Sequence, residues 1–350
     1  MLALGLTSGR IMVVDEATGE VKWAVQAHFL DSLVHVAMSP NGRFVASVGC
    51  DDDYWKIWDA ESGKLQMVVS TQDGAGSHTA GILWAAFLPC GQRLATRGSD
   101  GAVILWDART GEAGHRMQRE AGFRMQGEDI AFSVDGARLA SGTGHTSIDV
   151  FDATAGAWLR TIEEDDRVTC MSFSPTAISM LATATQGDAI HVWDIDSGEM
   201  IREIEGCSLI AIFSPDGRTI ATASPVGRDL EGMGDLQLMG AESGEMRRRI
   251  VAHESFITCA SWCPYNGSKL ASGSHDGTCK VWDSKTGALL QTIELGDRTE
   301  IFCSMAWGRN WVLDTQRAMA FALGHQPRLG AGSQVLELDA GLVRMILDLV

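Results

Sequence analysis

Two sets of side chains in this chain have the makings of a hydrolytic centre. His78, Thr96 and Asp100 form one, and His253, Ser272 and Asp276 the other; each supplies the imidazole, hydroxyl and carboxylate that a nucleophilic triad uses. An enzyme needs one such site, and here the constellation comes twice, each time with a tryptophan further on (Trp106, Trp282). Recurrence argues for a structural task. Other catalytic patterns are missing: the chain holds no HExxH, GxxxxGK, GxSxG or GxGxxG, and the Gly-Ala-Gly-Ser loops at 74–77 and 330–333 lack the strand-to-helix context that phosphate binding needs. Asp51, Asp52 and Asp53 form a carboxylate run in a predicted turn, but no calcium-loop pattern surrounds them, which points to turn chemistry and solvation. The eight cysteines include no CxxC pair, and most fall in predicted strands, so they read as buried, reduced thiols used as small hydrophobes. Cys259 and Cys263 share a strand face without the further ligands that a zinc site needs. No catalytic residue, cofactor, metal or small-molecule substrate is expected.

The elements that must position these residues repeat. From Ala252 to Gly287, the apolar runs FITCASW, KLASG and CKVWD alternate with polar residues at period two, and turn signals separate them. A fourth run, ALLQTI, completes a four-stranded meander. Such a sheet has two apolar faces and cannot bury them alone, so copies must stack. The Trp-Asp ending recurs at 58–59, 106–107, 193–194 and 282–283, with weaker forms at Val14-Asp15, Phe151-Asp152 and Met239-Gly240, in steps of 42 to 48 residues.

A period of this length with a Trp-Asp ending resembles the WD-repeat family of β-propellers. The resemblance covers about residues 2–308 and implies an all-β, seven-bladed β-propeller closed between the two chain ends. Residues 2–26 supply three strands of one blade; six four-stranded units follow at about 27–69, 77–117, 127–162, 166–204, 206–250 and 252–293; and IFCSMAWG, 301–308, supplies the missing strand. Family likeness also places His78 or His253 before a first strand, Thr96 or Ser272 on the second, Asp100 or Asp276 in the following turn, and Trp106 or Trp282 on the third. The implied relay runs from indole to hydroxyl to His to Asp, and each buried member left unpaired costs on the order of 1–3 kcal/mol. Three units depart from the pattern. Unit 127–162 has Phe151 for Trp and Gly144-His145 in its turn; unit 166–204 keeps Thr183, Asp188 and Trp193 without a leading His; unit 206–250 carries a longer loop at 225–235.

The tail, 314–350, does not continue the repeat. DTQRAMAFALG and LDAGLVRMILDLV have helical composition and spacing, with Asp314 and Asp339 as N-caps, so a short helical C-terminal extension is expected beyond a propeller of residues 1–313; an incomplete eighth blade is the alternative.

Net charge of −17 and a pI near 4.9 disfavour nucleic-acid phosphate and anionic membranes as partners. No 18-residue apolar run could span a bilayer, and the first residues show no signal-peptide pattern, so membrane insertion is not expected and the cytoplasm fits best, with nucleus or cilium as alternatives. In propellers the fourth-to-first and second-to-third strand loops share one face. Asp51, Asp52, Asp53, Glu163, Glu164, Asp165, Asp166, Asp229 and Glu231 fall there with few bases, Arg228 among them, which suggests an acidic rim that receives a basic segment of a protein partner; dispersed solvation is the alternative. On the opposite face, Trp106-Asp107-Ala108-Arg109 is similar to the box of propellers that act as substrate receptors of cullin–RING ubiquitin ligases, where the Arg contacts the adaptor. The function expected is a non-enzymatic protein-interaction scaffold in a multiprotein assembly. A ligase receptor marked by Arg109 and an enzyme with an unrecognised site are the competing readings.

Overall fold

The computed structural model describes residues 1–307 apart from 30, 31, 33, 51, 72–76, 119–129, 144–145, 187–188, 206–208, 225–233, 265–266 and 296–299. Its 28 strands form seven antiparallel four-stranded sheets. We number these blades along the ring. Blade 1 takes Phe302–Trp307 as its inner strand, followed outward by Leu2–Leu6, Arg10–Val14 and Val21–Gln26. Blades 2 to 7 are sequential meanders over 34–70, 82–117, 130–163, 168–205, 211–253 and 257–294.

Position within a blade decides how a strand reads. Leu2–Leu6 is buried at every residue because neighbouring blades cover both of its faces, whereas the outer strand Val21–Gln26 has no fully buried residue. The cores therefore lie between blades. One apolar cluster runs through Ile190 and Val192 of blade 5, Leu236 and Leu238 of blade 6 and Leu270 and Trp282 of blade 7; another joins Trp55 of blade 2 to Ile104 and Trp106 of blade 3.

Closure depends on the strand from the far end of the propeller. Leu2 pairs with Trp307, Leu4 with Met305 and Leu6 with Phe302. Phe302–Trp307 is also tied sideways. The Trp307 indole donates to the Ser261 carbonyl of blade 7 at 2.9 Å, and Ser304 Oγ donates to Val34 O of blade 2 at 2.9 Å and accepts from Val36 N at 3.0 Å.

A second device repeats around the ring. Every third-to-fourth-strand turn ends in a glycine with φ between 69° and 78°, a left-handed conformation that costs a side-chain-bearing residue energy. The turn is also crowded. A Cβ on Gly63 would meet the Trp23 ring of blade 1 at 2.8 Å, and one on Gly198 would meet the Arg160 guanidinium of blade 4 at 1.9 Å. Trp23 Nε1 donates to Ala60 O at 2.8 Å, and Arg160 Nη2 to Asp196 O at 2.7 Å. Each outer strand thus grips the turn of the next blade.

The expected helices of 314–350, and the boundary at 313, lie outside the described residues. Removing 301–308 exposes the edge of Leu2–Leu6 and leaves blade 7 unsupported, so the deletion is expected to abolish the cooperative thermal transition; an unchanged melting profile would refute closure by this strand.

Candidate functional site

The two hydroxyl–imidazole–carboxylate sets lie inside blades 3 and 7. In blade 3, Trp106 Nε1 donates to Thr96 Oγ1 at 2.7 Å, Thr96 Oγ1 lies 2.8 Å from His78 Nε2, and His78 Nδ1 lies 3.1 Å from Asp100 Oδ1. In blade 7, the matching distances are 3.0 Å (Trp282 to Ser272), 2.7 Å (Ser272 to His253) and 2.9 Å (His253 to Asp276). A hydroxyl that accepts from an indole has one hydrogen to give, and it goes to Nε2; the imidazole proton then sits on Nδ1 and faces the carboxylate. Burial works against charge on Asp100, but hydrogen bonds from His78 and Thr79 N outweigh it and hold the carboxyl below the usual range. Burial lowers the His253 pKa.

Blade 2 carries a third relay. Trp58 Nε1 donates to Ser47 Oγ at 2.9 Å, Ser47 meets His28 Nε2 at 2.9 Å, and His28 Nδ1 lies 2.5 Å from Asp52 Oδ2, with Lys56 Nζ 3.6 Å from the same carboxylate. Burial pushes the His28 pKa down to about 4. Asp52 is only 3% exposed and cannot belong to an exposed acidic rim. The signal for it is in the spacing: Asp52 precedes Trp58 by as many residues as Asp100 precedes Trp106 and Asp276 precedes Trp282. In a run of three aspartates the structural one is hidden among its neighbours.

Blade 5 solves the same problem with a carboxylate. Glu164 stands where the leading His stands elsewhere, 19 residues before the hydroxyl, as His28 and His253 do. Thr183 Oγ1 donates to Glu164 Oε1 at 2.5 Å and Trp193 Nε1 donates to the same oxygen at 2.8 Å, while His191 Nδ1 on the third strand faces Oε2 at 2.5 Å. Hydrogen bonding to Glu164 raises the His191 pKa against the effect of burial. Glu164, 6% exposed, is therefore a second rim candidate that the fold takes inside. Asp188 and His145 lie outside the described residues.

The aspartate of each Trp-Asp pair has a separate task. Asp107 Oδ1 accepts from Arg109 N and Thr110 N at 2.8 Å each, and Asp283 Oδ1 does the same for Lys285 N and Thr286 N. These bonds shape the turn that delivers the gripped glycine. Access decides against nucleophilic chemistry in the relays: Ser47, Thr96 and Ser272 are 0% exposed, and an indole occupies each hydroxyl.

Of the remaining rim candidates, Glu163 at the end of strand Trp158–Glu163 and Asp165 and Asp166 in the loop after it are exposed, and Asp53 is half-buried; Asp51, Arg228, Asp229 and Glu231 lie outside the described residues. Arg109 is exposed on the opposite face and lines a groove of about 640 Å³ between blades 2 and 3, with Phe44, Met67 and Phe87 as apolar floor and Arg43 across from it. Among the described residues no group of three or more His, Cys, Asp or Glu side chains could hold a metal ion. Cys170, Cys263 and Cys279 are buried, whereas Cys90 is exposed, against the expectation for thiols in strands, because it sits in a turn.

The seven sheets, the relays and the Trp-Asp turns define a WD-repeat β-propeller. Residues 19–59, 69–107 and 244–283 match the WD domain, G-beta repeat, and the chain forms a seven-bladed propeller that carries this repeat in those three places. Each matched stretch begins on or just before the outer strand of one blade and ends at the Trp-Asp pair of the next, in blades 2, 3 and 7, the three with complete His relays. The chain is similar to the WD repeat-containing protein 26 homolog of Drosophila melanogaster (26% identity; 75% of this chain, 40% of the relative). It is similar also to the ribosome biogenesis protein WDR12 homolog of Chlamydomonas reinhardtii (22%; 72% and 52%) and to cell division cycle 20.1, cofactor of APC complex, of Arabidopsis thaliana (26%; 60% and 46%). The chain thus spans about half the length, or less, of these curated relatives.

Asp52→Ala and Glu164→Ala each strip a buried network of its anion and are expected to cost about 3–5 kcal/mol by chemical denaturation, against under ~0.5 kcal/mol for Asp166→Ala at the exposed rim. The histidines add a pH signature. His28 is held neutral, so the unfolded chain binds more protons between pH 6.5 and about 4, and stability falls as pH drops through that window. His191 has a raised pKa, so its contribution is full below 6.5 and fades as pH rises through the folded value. The destabilisation caused by His191→Gln should therefore shrink from about pH 6 to about pH 9, and that of His28→Gln should grow from about pH 4.5 to about pH 7, in melts followed by circular dichroism.

Proposed function

We propose that this chain is a non-enzymatic protein-interaction scaffold that docks partners on the faces of a rigid ring in a multiprotein assembly. The observation that carries this reading is the separation of chemistry from surface. The hydroxyls that could act as nucleophiles are sealed inside blades, while the groove between blades 2 and 3 offers an apolar floor flanked by Arg43 and Arg109. Polar groups around an apolar centre are the anatomy of a protein contact. The relatives' names, which include a cofactor of a complex and a ribosome biogenesis protein, accord with work in assemblies. On the other face, the exposed Glu163, Asp165 and Asp166 suit a basic segment. A cytoplasmic location belongs to the same proposal.

The second reading, a substrate receptor of a cullin–RING ligase, draws on one observation: the exposed Arg109 side chain lines the groove and forms no ion pair among the described residues beyond its electrostatic interaction with Asp107 in the same turn. Affinity purification from native extract separates the two. A scaffold returns the same set of proteins with wild type and Arg109→Ala, whereas a receptor returns a cullin adaptor that vanishes with Arg109→Ala. Recovery of no partner at any salt would overturn both. Binding at the acidic loop should weaken about tenfold or more between 50 and 200 mM salt and on joint replacement of Glu163, Asp165 and Asp166 by Lys; salt-independent binding argues against an acidic docking face.

A further inference from the structure

A second pocket, of about 270 Å³, lies between blades 6 and 7 on the same face as Arg109. Arg247, Arg248 and Lys285 line it against a single carboxylate, Asp216. Some guanidinium groups, such as those of Arg97, Arg160 and Arg202, donate to carbonyls; others meet acids, Arg10 with Glu300, Arg116 with Asp100, Arg138 with Asp196 and Arg249 with Asp235. The pocket cations do not. Arg248 gives Nη1 and Nη2 to the carbonyls of Thr286 and Lys285, both at 2.8 Å, and Arg247 Nη1 donates to Thr219 Oγ1 at 3.0 Å. Neutral acceptors fix the two guanidinium groups in place and leave their charge uncompensated. The Lys285 ammonium forms no ion pair among the described residues, and its charge is felt by Asp283 across the turn. Asp216 is already engaged, since its Oδ1 accepts from Ser214 Oγ at 2.6 Å and Arg218 N at 3.1 Å.

We infer that this pocket binds a phosphorylated serine or threonine of a partner protein. A phosphate monoester carries a charge of about −1.5 to −2 and three acceptor oxygens. Facing it are the free N–H groups of two fixed guanidiniums, an ammonium and the Thr219 hydroxyl, whose hydrogen is uncommitted after the oxygen accepts from Arg247. Leu238 and Trp262 supply an apolar wall for the carbon atoms that carry the phosphate. Charge range excludes the larger polyanions: a chain of net −17 repels nucleic acid and anionic bilayers over their whole length, but screening confines a single phosphate to the field within about 8 Å. The neighbouring strand Met246–His253 is the outermost of its sheet, so an extended peptide can lie along its edge. The inference deepens the scaffold reading. Native purification tests the scaffold and the peptide measurement below tests the pocket, so either can fail alone.

The test uses the full chain and a degenerate peptide pool with one fixed phosphoserine, beside pools carrying Ser or Glu at that position, read by fluorescence polarisation. The phosphorylated pool is expected to bind at least about tenfold tighter than either control pool, with loss of about tenfold in Arg247→Gln and again in Lys285→Gln. Both positions are exposed, so melting temperatures should not move. Lys64→Gln, an exposed cation on the same face of blade 2, should change nothing. Equal binding of the three pools, an equal loss in Lys64→Gln, or inorganic phosphate binding as tightly as the phosphopeptide pool would overturn the inference. So would anionic vesicles or RNA binding through Arg247 and Lys285.

Discussion

No blade of this propeller can bury its own faces. A four-stranded sheet that is apolar on both sides needs a neighbour on each, and the ring meets that need only when the last neighbour is also the first. The inner strand Phe302–Trp307 therefore bears a constraint out of proportion to its length. It completes blade 1, covers the inner edge of blade 7 through Trp307 and Ser261, and meets blade 2 through Ser304 and Val34. The gripped glycine turns apply the same rule at the rim. A side chain at Gly63 or Gly198 would hold the next outer strand off, and the left-handed backbone there lets the turn fold flat beneath it.

Within blades, two ways of handling the third-strand position coexist. An indole packs well but brings a buried N–H that must be satisfied; blades 2, 3 and 7 satisfy it with a hydroxyl that is itself satisfied by His–Asp, and blade 5 with the Glu164 carboxylate that also takes the Thr183 hydroxyl and faces His191. Blades 1, 4 and 6 put Val14, Phe151 and Met239 there, all buried, and have no such donor to place. Their second-strand hydroxyls turn to backbone instead, Ser141 to Gly142 O and Thr222 to Gln237 O, and blade 1 has the buried Leu4 at that point, opposite Met12. A complete polar network and an apolar core are both stable; a partial network is the costly arrangement.

The division of charge follows from the same architecture. Turns at one end of the blades hold cations whose guanidinium groups are spent on carbonyls and hydroxyls, while much of the acid at the other end is drawn inward to serve imidazoles and indoles. Interaction chemistry is left to what the blades do not consume: the cation-edged grooves at 2/3 and 6/7, and the exposed Glu163, Asp165 and Asp166.

Much of this was legible in the chain alone. Period-two strands, glycine turns and a Trp-Asp ending at steps of 42 to 48 residues dictate stacked four-stranded units, and a surplus strand at 301–308 opposite a three-stranded start dictates closure, because both are local patterns whose burial needs have one economical solution. The relays of blades 3 and 7 were legible for the same reason, as matching residue types in matching units. What residue type alone left undecided was which acids are inside, although the spacing of Asp52 to Trp58 carries the answer for one of them. Asp52 and Asp53 are adjacent and chemically identical, as are Glu163 and Glu164, yet one of each pair is buried against His28 or His191 and the other is not. Residues on successive positions of a loop or strand point opposite ways, and only the packed blade decides which way meets an imidazole and which meets water. The same holds for the cations: Arg247, Arg248 and Arg249 are consecutive in the chain, and the fold alone gives Arg249 a carboxylate and leaves the other two facing a pocket.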